Sequence, residues 1–344
     1  MAPPGDRPEP MRRPGAGVKR SISGFVKDWV VLNGIDCLCM AALGGATFAI
    51  YLADVPVTRT FPITFSPSGD VVYPEWAYPY RGWIIPSWAS GVVAIGGPIV
   101  IYTAAQIRIR SAWDASCAIM GSIWAVLLAS FFQVVLKQLI GGFRPYFLQV
   151  CMPDVGDFVD RTGLNGVGFQ SLMYSVDVCT QPDASLLKTA ITSFPSGHTS
   201  ATCAGFGFVF LWLNAKLKAW ADHRPAFWKL FLTIAPLLLS ALVACSLTID
   251  AAHNWYDIVG GAVIGFTMAL AAYRASYAAV WDWHFNHVPL HPRKAFSYDV
   301  ADYDFAPLTL TKTAGWGRAE AWLPRHVGST DAIAASMHAQ TDQT

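Results

Sequence analysis

Long apolar stretches separated by short polar segments run through most of this chain. Six of them are each close to the roughly 20 residues that an α-helix needs to cross a bilayer, and their repeated Gly and Ala suit close helix packing in lipid. The six predicted spans cover about residues 30–53, 84–107, 116–136, 199–217, 228–247 and 258–281. The pattern therefore predicts an all-α, polytopic membrane protein built as a six-transmembrane helix bundle.

Polar segments are predicted at both ends of this bundle. Residues 1–28 are rich in Pro, Arg and Gly, lack hydrophobic periodicity and predict a disordered cytosolic tail. The first twenty residues contain no short apolar core, so no cleaved signal peptide is expected. The membrane domain is predicted over residues 29–284, and residues 285–344 form the predicted cytosolic C-terminal tail.

Composition agrees with a membrane protein. Of the 344 residues, 53% are hydrophobic and only 14% are charged, against roughly 25% charged in soluble domains. Fourteen tryptophans and twelve tyrosines fit the aromatic belts that form at bilayer interfaces. The net charge is +1, and no basic run interleaved with aromatic residues indicates a nucleic-acid partner. The bilayer itself is the expected partner.

The distribution of Lys and Arg predicts the orientation of the bundle, because cytosolic loops carry an excess of both. The N-terminal segment, the second-to-third loop and the fourth-to-fifth loop are basic and lie on one side, which is the predicted cytosolic side. The first-to-second, third-to-fourth and fifth-to-sixth loops then face the lumen of an endomembrane compartment (vacuole, Golgi or ER) or the outside of the plasma membrane. The basic residues are Arg12, Arg13, Lys19, Arg20, Lys27, Arg108, Arg110, Lys216, Lys218, Arg224 and Lys229.

Three clusters of polar residues fall on this non-cytosolic side. In the first, Lys137 and Arg144 lie seven residues apart with Gly141 and Gly142 between them, so the helix is expected to end there and the chain to turn back. Both cations then point at one anion, Arg as a bidentate fork for phosphate oxygens and Lys as a compact charge. The alternative is a pair of cations that snorkel at a helix end.

The second cluster is the run Pro195-Ser196-Gly197-His198 at the start of an apolar stretch. Glycine lets the backbone approach a ligand closely, and the amides at a helix N-terminus bind anions. His198 is placed to donate a proton to a leaving oxygen. The alternative is an ordinary helix cap by Ser196.

The third cluster pairs His253 with Asp257 at a spacing of four residues, which puts both on one face of a helix. A carboxylate that accepts from one imidazole nitrogen leaves the other nitrogen free to attack. The alternative is a polar pair that only stabilises the helix. Ionisable residues at the edge of a hydrocarbon segment are functional candidates, and these residue types together suit phosphoryl transfer through a histidine.

Cysteine and histidine spacing indicates neither a metal nor a cofactor. Seven cysteines are too scattered for a disulfide scaffold, but Cys151 and Cys179 lie in one hydrophilic loop and pair if that loop faces an oxidising compartment. The histidines His284, His287 and His291 follow the last span on the predicted cytosolic side, where a solvated or interfacial cluster is favoured over a weak metal site.

The three clusters, taken in order, resemble the three-part signature of the type 2 phosphatidic acid phosphatases, also called lipid phosphate phosphatases. Bacterial acid phosphatases and vanadium haloperoxidases belong to the same superfamily. Order and spacing agree over about 120 residues. The matching patterns are Lys137-x6-Arg144-Pro145, Pro195-Ser196-Gly197-His198 and Ser246-x6-His253-x3-Asp257.

The resemblance implies a metal-independent mechanism. His253 would attack phosphorus and form a phosphohistidine, Asp257 would orient His253, and His198 would protonate the departing alkoxide. Segments 147–148 and 151–154 also resemble the lipid phosphatase branch and favour lipid substrates. The residues that would hold the phosphate oxygens are Lys137, Arg144, Ser196 and Gly197.

One position departs from the family pattern. The third motif of the family begins Ser-Arg, and this chain has Leu247 in the second place. Loss of a preorganised donor to phosphate costs on the order of a hundredfold to a thousandfold in rate. Lys188, just upstream of the second motif, is a candidate substitute for the missing cation.

The combined reading is hydrolysis of lipid phosphomonoesters such as phosphatidic acid, lysophosphatidic acid or diacylglycerol pyrophosphate at the non-cytosolic membrane face. Two alternatives stay open. Leu247 leaves room for a catalytically impaired relative that binds lipid phosphates as a regulator or scaffold. A phospho-headgroup transferase, in which an alcohol replaces water as acceptor, is the other.

Overall fold

The structure is a computed structural model, and it describes residues 22–55, 59–63, 74–154, 166–171, 173–293, 296 and 309–310. Long helices dominate this part of the chain. They are α1 (Ile22–Leu52), α2 (Ser87–Ile109), α3 (Ala112–Ile140), α6 (Gly197–Leu217), α7 (Phe227–Ile249) and α8 (Trp255–Ser276). The connection between α3 and α6 carries the short helices α4 (Phe147–Cys151) and α5 (Ala184–Ala190).

The predicted fold class is confirmed. Within the described residues the regular elements are helices apart from two short strands, β1 (Phe61–Pro62) and β2 (Met173–Tyr174). The long apolar helices are those of a polytopic membrane protein. Each predicted span lies on one of the six long helices. Five of these, all except α6, are long and apolar enough to cross a bilayer, so the predicted count of six spans is not confirmed. Polar residues near both ends of α6, among them His198 and Lys216, set it apart from the others.

The chain divides into two compact units, residues 1–42 and 43–344. The described part of the first unit is helical from Ile22 onward. The helix therefore begins within residues 1–28, the predicted disordered tail; residues 1–21 lie outside the described residues. The sequence has no proline between Pro14 and Pro56, so no proline interrupts a helix that begins at Ile22.

The second unit is built around α6, which packs against α2, α3, α7 and α8. Nearly all of its side chains are buried, which explains how a helix with polar ends sits at the centre of an apolar bundle. Small residues permit the close packing: a side chain at Gly205 would collide with the backbone of Ala94 on α2. His198 is therefore held on the most enclosed helix of this unit.

A second apolar core joins the connection between α3 and α6 to residues 61–63 before α2 and to Leu247 near the end of α7. β1 pairs with β2 in antiparallel register, with Phe61 opposite Tyr174. Phe61 is buried against Phe143 and Phe147, with ring centroids 5.4 and 4.8 Å away. A disulfide joins Cys151 to Cys179 across this core, which settles the pairing that the sequence left open.

A buried polar network lies at the end of the bundle where α6 ends and α3 begins. Lys216 of α6 forms an ion pair with Asp114 of α3 at 2.5 Å, and neither side chain is exposed. Lys216 also donates to the carbonyl of His287 at 3.0 Å, and Lys218 donates to Asn286 Oδ1 at 2.8 Å. The folded chain thus continues past residue 284, the predicted end of the membrane domain.

The histidines that follow the last span have different partners in the structure. Lys218 Nζ lies 3.0 Å from Nδ1 of His287, His284 lies 2.9 Å from Asp282, and the ring of His291 lies 5.2 Å from that of Trp113. Within the described ranges, no three His, Cys, Asp or Glu side chains are grouped as metal ligands. The three histidines therefore do not form a common site.

Candidate active site

The turn after α3 brings the first polar cluster against the second. Gly141 and Gly142 have φ values of +63° and +116°, backbone conformations that favour glycine. They let the chain run back beside the segment before α6, where Ser193 N donates to the carbonyl of Gly142 and Arg144 N donates to that of Ala190, at 3.0 and 2.9 Å. The predicted chain reversal is therefore present.

The third cluster is attached to both of the others through backbone groups. Ser196 N donates to the carbonyl of Asp257 at 3.0 Å. Asn254 Nδ2 donates to the carbonyl of Phe143 at 3.1 Å, and Arg144 Nη1 to that of Ala252 at 2.6 Å. Three segments that are distant in sequence thus form one polar site at one end of the bundle.

A cavity of about 420 Å³ opens at this site. Its lining includes five of the seven predicted site residues, and the other two, Asp257 and Ser196, are fully buried behind it. The five lining residues are Lys137, Arg144, Gly197, His198 and His253. The cavity therefore contains two cations and two imidazoles, which suits the binding and transfer of an anionic phosphoryl group.

The contacts of His253 fix the position of its proton. Its Nε2 lies 3.3 Å from Nη1 of Arg144, and a guanidinium can only donate, so Nε2 carries a lone pair. Nδ1 then bears the proton and points at Oδ2 of Asp257, 3.3 Å away. Burial lowers the pKa of His253 well below the ordinary imidazole value, and the positive charges of Arg144 and Lys137 lower it further. The imidazole is thus neutral at neutral pH, with a lone pair on Nε2.

Asp257 is held by several donors besides His253. Ser193 Oγ donates to its Oδ2 at 2.5 Å. The backbone amide of Asn254 donates to the same oxygen at 2.9 Å. The helix α8 begins only at Trp255, so His253 and Asp257 do not lie on one helical face as their spacing suggested. They meet because the chain turns into the first turn of α8, which still brings the two side chains together.

The two cations anchor the loops as well as facing the cavity. Arg144 is 4% exposed, and its Nε donates to the carbonyl of Thr189 at 2.7 Å. Lys137 donates to the carbonyls of Thr192 and Ser193 at 2.8 and 3.1 Å. These contacts consume donors that a bound phosphate would compete for, and they explain why neither cation snorkels into solvent.

The second motif combines a capping residue with a cavity residue. Ser196 is the N-cap of α6, and its Oγ accepts from the amide of Thr199 at 3.4 Å. The Ser196 side chain therefore caps the helix, as the alternative interpretation predicted. The role of Ser196 as a phosphate ligand stays a prediction. His198 faces the cavity, and its Nε2 lies 2.9 Å from the carbonyl of Ile85. A carbonyl only accepts, so Nε2 carries a proton.

The structure places Lys188 and Leu247 away from the phosphate site. The ammonium group of Lys188 donates to carbonyls at the C-terminal end of α1, including Tyr51 at 3.1 Å and Ala53 at 2.6 Å. Leu247 is fully buried in the apolar core that contains Phe147 and does not line the cavity. Lys188 therefore does not replace the guanidinium that the family has at position 247.

Sequence reasoning missed Trp83, which the structure places in the cavity wall beside both histidines. Its indole stacks on the ring of His198 with centroids 5.0 Å apart, and it lies 4.8 Å from the guanidinium carbon of Arg144. Trp83 belongs to an irregular segment before α2 and to none of the three motifs. One of fourteen tryptophans in a membrane protein gives no signal of this kind.

Comparisons with known proteins agree with the geometry. The family model described as PAP2 superfamily matches residues 118–281, which include all three clusters. Lipid phosphate phosphatase 2 of Arabidopsis thaliana is 33% identical over 215 residues, covering 62% of this chain and 69% of the relative. Lipid phosphate phosphatase 1 of the same plant is 34% identical over 200 residues, covering 58% of this chain and 57% of the relative.

A fungal relative extends the comparison. Diacylglycerol pyrophosphate phosphatase 1 of Saccharomyces cerevisiae is 32% identical over 165 residues, covering 48% of this chain and 53% of the relative. The chain thus spans little more than half the length of some of these relatives. No solved structure matches it significantly. Since family model, relatives and motif geometry coincide, the chain belongs to the type 2 phosphatidic acid phosphatase family of the PAP2 superfamily, a family of phosphatase enzymes.

Proposed function

We propose that this protein hydrolyses lipid phosphomonoesters, such as phosphatidic acid, lysophosphatidic acid or diacylglycerol pyrophosphate, through a phosphohistidine on His253. The names of its relatives support a lipid phosphate or a lipid pyrophosphate as substrate. The observation that carries the proposal is the lone pair on Nε2 of His253, which faces the guanidinium of Arg144 at 3.3 Å inside a cationic cavity.

Binding of the substrate prepares the nucleophile. Without a phosphate, an N–H of Arg144 donates to Nε2 of His253. Phosphate oxygens are stronger acceptors for a guanidinium, so they take over the donors of Arg144 and Lys137 and release the lone pair of Nε2. Asp257 keeps the proton of the ring on Nδ1 and stabilises the positive charge that develops on the imidazole.

In the first chemical step, Nε2 of His253 forms a bond to phosphorus as the bond between phosphorus and the glycerol oxygen breaks. His198, in its imidazolium form, gives a proton to that oxygen, and the lipid alcohol leaves. In the second step, a water molecule gives a proton to the now neutral His198, and the oxygen of that water attacks phosphorus. The phosphorus–nitrogen bond breaks, inorganic phosphate is released, and both histidines return to their starting forms.

The substrate assay tests this function and separates it from the two alternatives. Purified protein in detergent is offered a panel of lipid phosphates in the presence of EDTA, and release of inorganic phosphate is measured. We expect turnover that the chelator does not reduce, because every step above uses a side chain. Binding of the lipids without release would indicate a regulator or scaffold. Transfer of phosphate or headgroup to an added alcohol would indicate a transferase.

We further propose that the site faces the lumen or the outside of the cell. The lysines and arginines on the other loops favour this orientation, and the disulfide between Cys151 and Cys179 supports an oxidising environment for the connection that carries Arg144. The lipid tails then stay in the non-cytosolic leaflet while the headgroup enters the cavity.

Cysteine labelling tests the orientation. Ser185 on α5 and Arg224 between α6 and α7 are both exposed. We expect a Ser185→Cys variant in sealed vesicles to react with an impermeant maleimide only from the non-cytosolic side and an Arg224→Cys variant only from the cytosolic side. The parent protein, with its native cysteines, provides the background for both. The reverse pattern of labelling would place the site at the cytosolic face and contradict the proposal.

A further inference from the structure

Trp83 contacts three of the groups that carry the chemistry. Its indole lies parallel to the imidazole of His198, with a centroid separation of 5.0 Å and an angle of 13° between the rings. It meets His253 edge to face at 6.5 Å and lies 4.8 Å from the guanidinium carbon of Arg144. One aromatic side chain thus contacts Arg144 and both histidines.

Backbone contacts hold the segment that carries Trp83. The amide of Ile84 donates to Oδ2 of Asp250 at 3.2 Å. Asp250 is 2% exposed, and its other oxygen accepts from the amide of Ala252 at 3.0 Å, next to His253. The carbonyl of Ile85 accepts from Nε2 of His198 at 2.9 Å. The segment is therefore clamped to the turn that bears the nucleophile and to the ring of His198.

We propose that Trp83 is a positioning residue that holds the imidazole of His198 in the orientation in which it protonates the leaving oxygen. The carbonyl of Ile85 fixes one ring nitrogen, and the stacked indole prevents the ring from rotating about that hydrogen bond. The electron-rich face of an indole also attracts a cation, which offsets part of the effect of burial that lowers the pKa of the His198 imidazole. This inference rests on the role of His198 in the proposed function.

If Trp83 acts through His198, the loss of rate on removing its ring depends on the leaving group. Phosphatidic acid releases an alkoxide, a strong base that needs a proton as it departs. In diacylglycerol pyrophosphate the leaving group is the phosphate of phosphatidic acid, a much weaker base that departs without that proton. Displacement of the acid by about 1 Å costs up to roughly a hundredfold in rate, and only the first substrate experiences that loss.

The test compares kcat for these two lipids in the full-length protein. Trp83→Leu removes the ring, and we expect kcat for phosphatidic acid to fall about 10- to 100-fold, while kcat for diacylglycerol pyrophosphate and both KM values change by less than about 3-fold. Trp83→Phe keeps a smaller stacked ring and should lie between the parent and Trp83→Leu. Trp88→Leu removes an indole that is 73% exposed and outside the cavity, and should leave both rates unchanged.

The variant His198→Ala shows whether a negative result contradicts the role of Trp83 or the role of His198 in the proposed function. We expect it to reduce the rate on phosphatidic acid by about 10²- to 10⁴-fold and to show the same dependence on the leaving group. If His198→Ala slows both lipids equally, the assigned role of His198 is wrong. If His198→Ala shows the dependence but Trp83→Leu slows both lipids equally or neither, Trp83 does not position the acid. Should Trp83→Leu not fold, an unchanged ratio of the two rates in Trp83→Phe overturns the inference.

Discussion

Replacing His253 with alanine is expected to reduce phosphate release by on the order of 10⁴-fold or more, because it removes the atom that we propose forms the covalent intermediate. The fold should survive, since the imidazole packs against polar groups at the rim of the cavity and not in the apolar bundle. Release of inorganic phosphate from phosphatidic acid measures the loss. Size-exclusion chromatography in detergent checks that the variant remains folded and monodisperse.

The phosphohistidine itself can be detected by trapping it chemically. Denaturing the parent protein in alkali during turnover of ³²P-labelled lipid should retain label on the protein, and brief acid treatment should remove it, as expected for a phosphohistidine. His253→Ala should retain none. His223→Ala is the matched control, since His223 lies between α6 and α7 and should keep both label and rate. Full activity in His253→Ala would contradict the mechanism.

The second large effect concerns Leu247, where the family pattern has arginine. Leu247 is fully buried in an apolar core with Phe147, Val150 and Ala252. A guanidinium left in these surroundings is a buried charge without compensation, a change that destabilises proteins by about 3–5 kcal/mol. We therefore expect Leu247→Arg to lower the thermal unfolding temperature in detergent and to leave the rate on phosphatidic acid unimproved.

A matched variant separates charge from volume at this position. Leu247→Met conserves volume and should cost less than about 1.5 kcal/mol, with the parent rate retained. The contrary result would be a Leu247→Arg variant that is as stable as the parent and at least tenfold faster. That outcome would mean that the side chain reaches the cavity and that the natural protein works with one phosphate ligand too few.

The helices and the three motifs could be predicted because their signals are local. Runs of about 20 apolar residues fix the helices to within a few residues at most ends, and the order of three spaced motifs identified Lys137, Arg144, His198 and His253 before any geometry was known. Their convergence follows from turns that the sequence also marks, such as Gly141-Gly142. The first helix was placed too late, because Gly and Lys between residues 22 and 28 weaken the apolar signal without preventing a helix.

The remaining features depend on contacts between distant segments. Trp83 stacks on His198, and Asp250 accepts from the amide of Ile84, in each case across more than a hundred residues of sequence. Neither Trp83 nor Asp250 is one of the residues that define the three motifs. Lys188 was a reasonable candidate for the phosphate site because it lies close to the second motif, yet its amine reaches the end of α1 instead. Proximity along the chain does not determine the direction of a side chain on a short helix such as α5.

The buried ion pair between Lys216 and Asp114 has a consequence for the depth of the reaction in the bilayer. His198 and Lys216 are eighteen residues apart on α6, so about 27 Å of rigid helix separates them. Sliding of α6 along its axis would break buried contacts at one end or the other. Because the imidazole is held at a fixed height within the bundle, the lipid headgroup has to reach it, and the thickness of the hydrocarbon layer affects how far that headgroup travels.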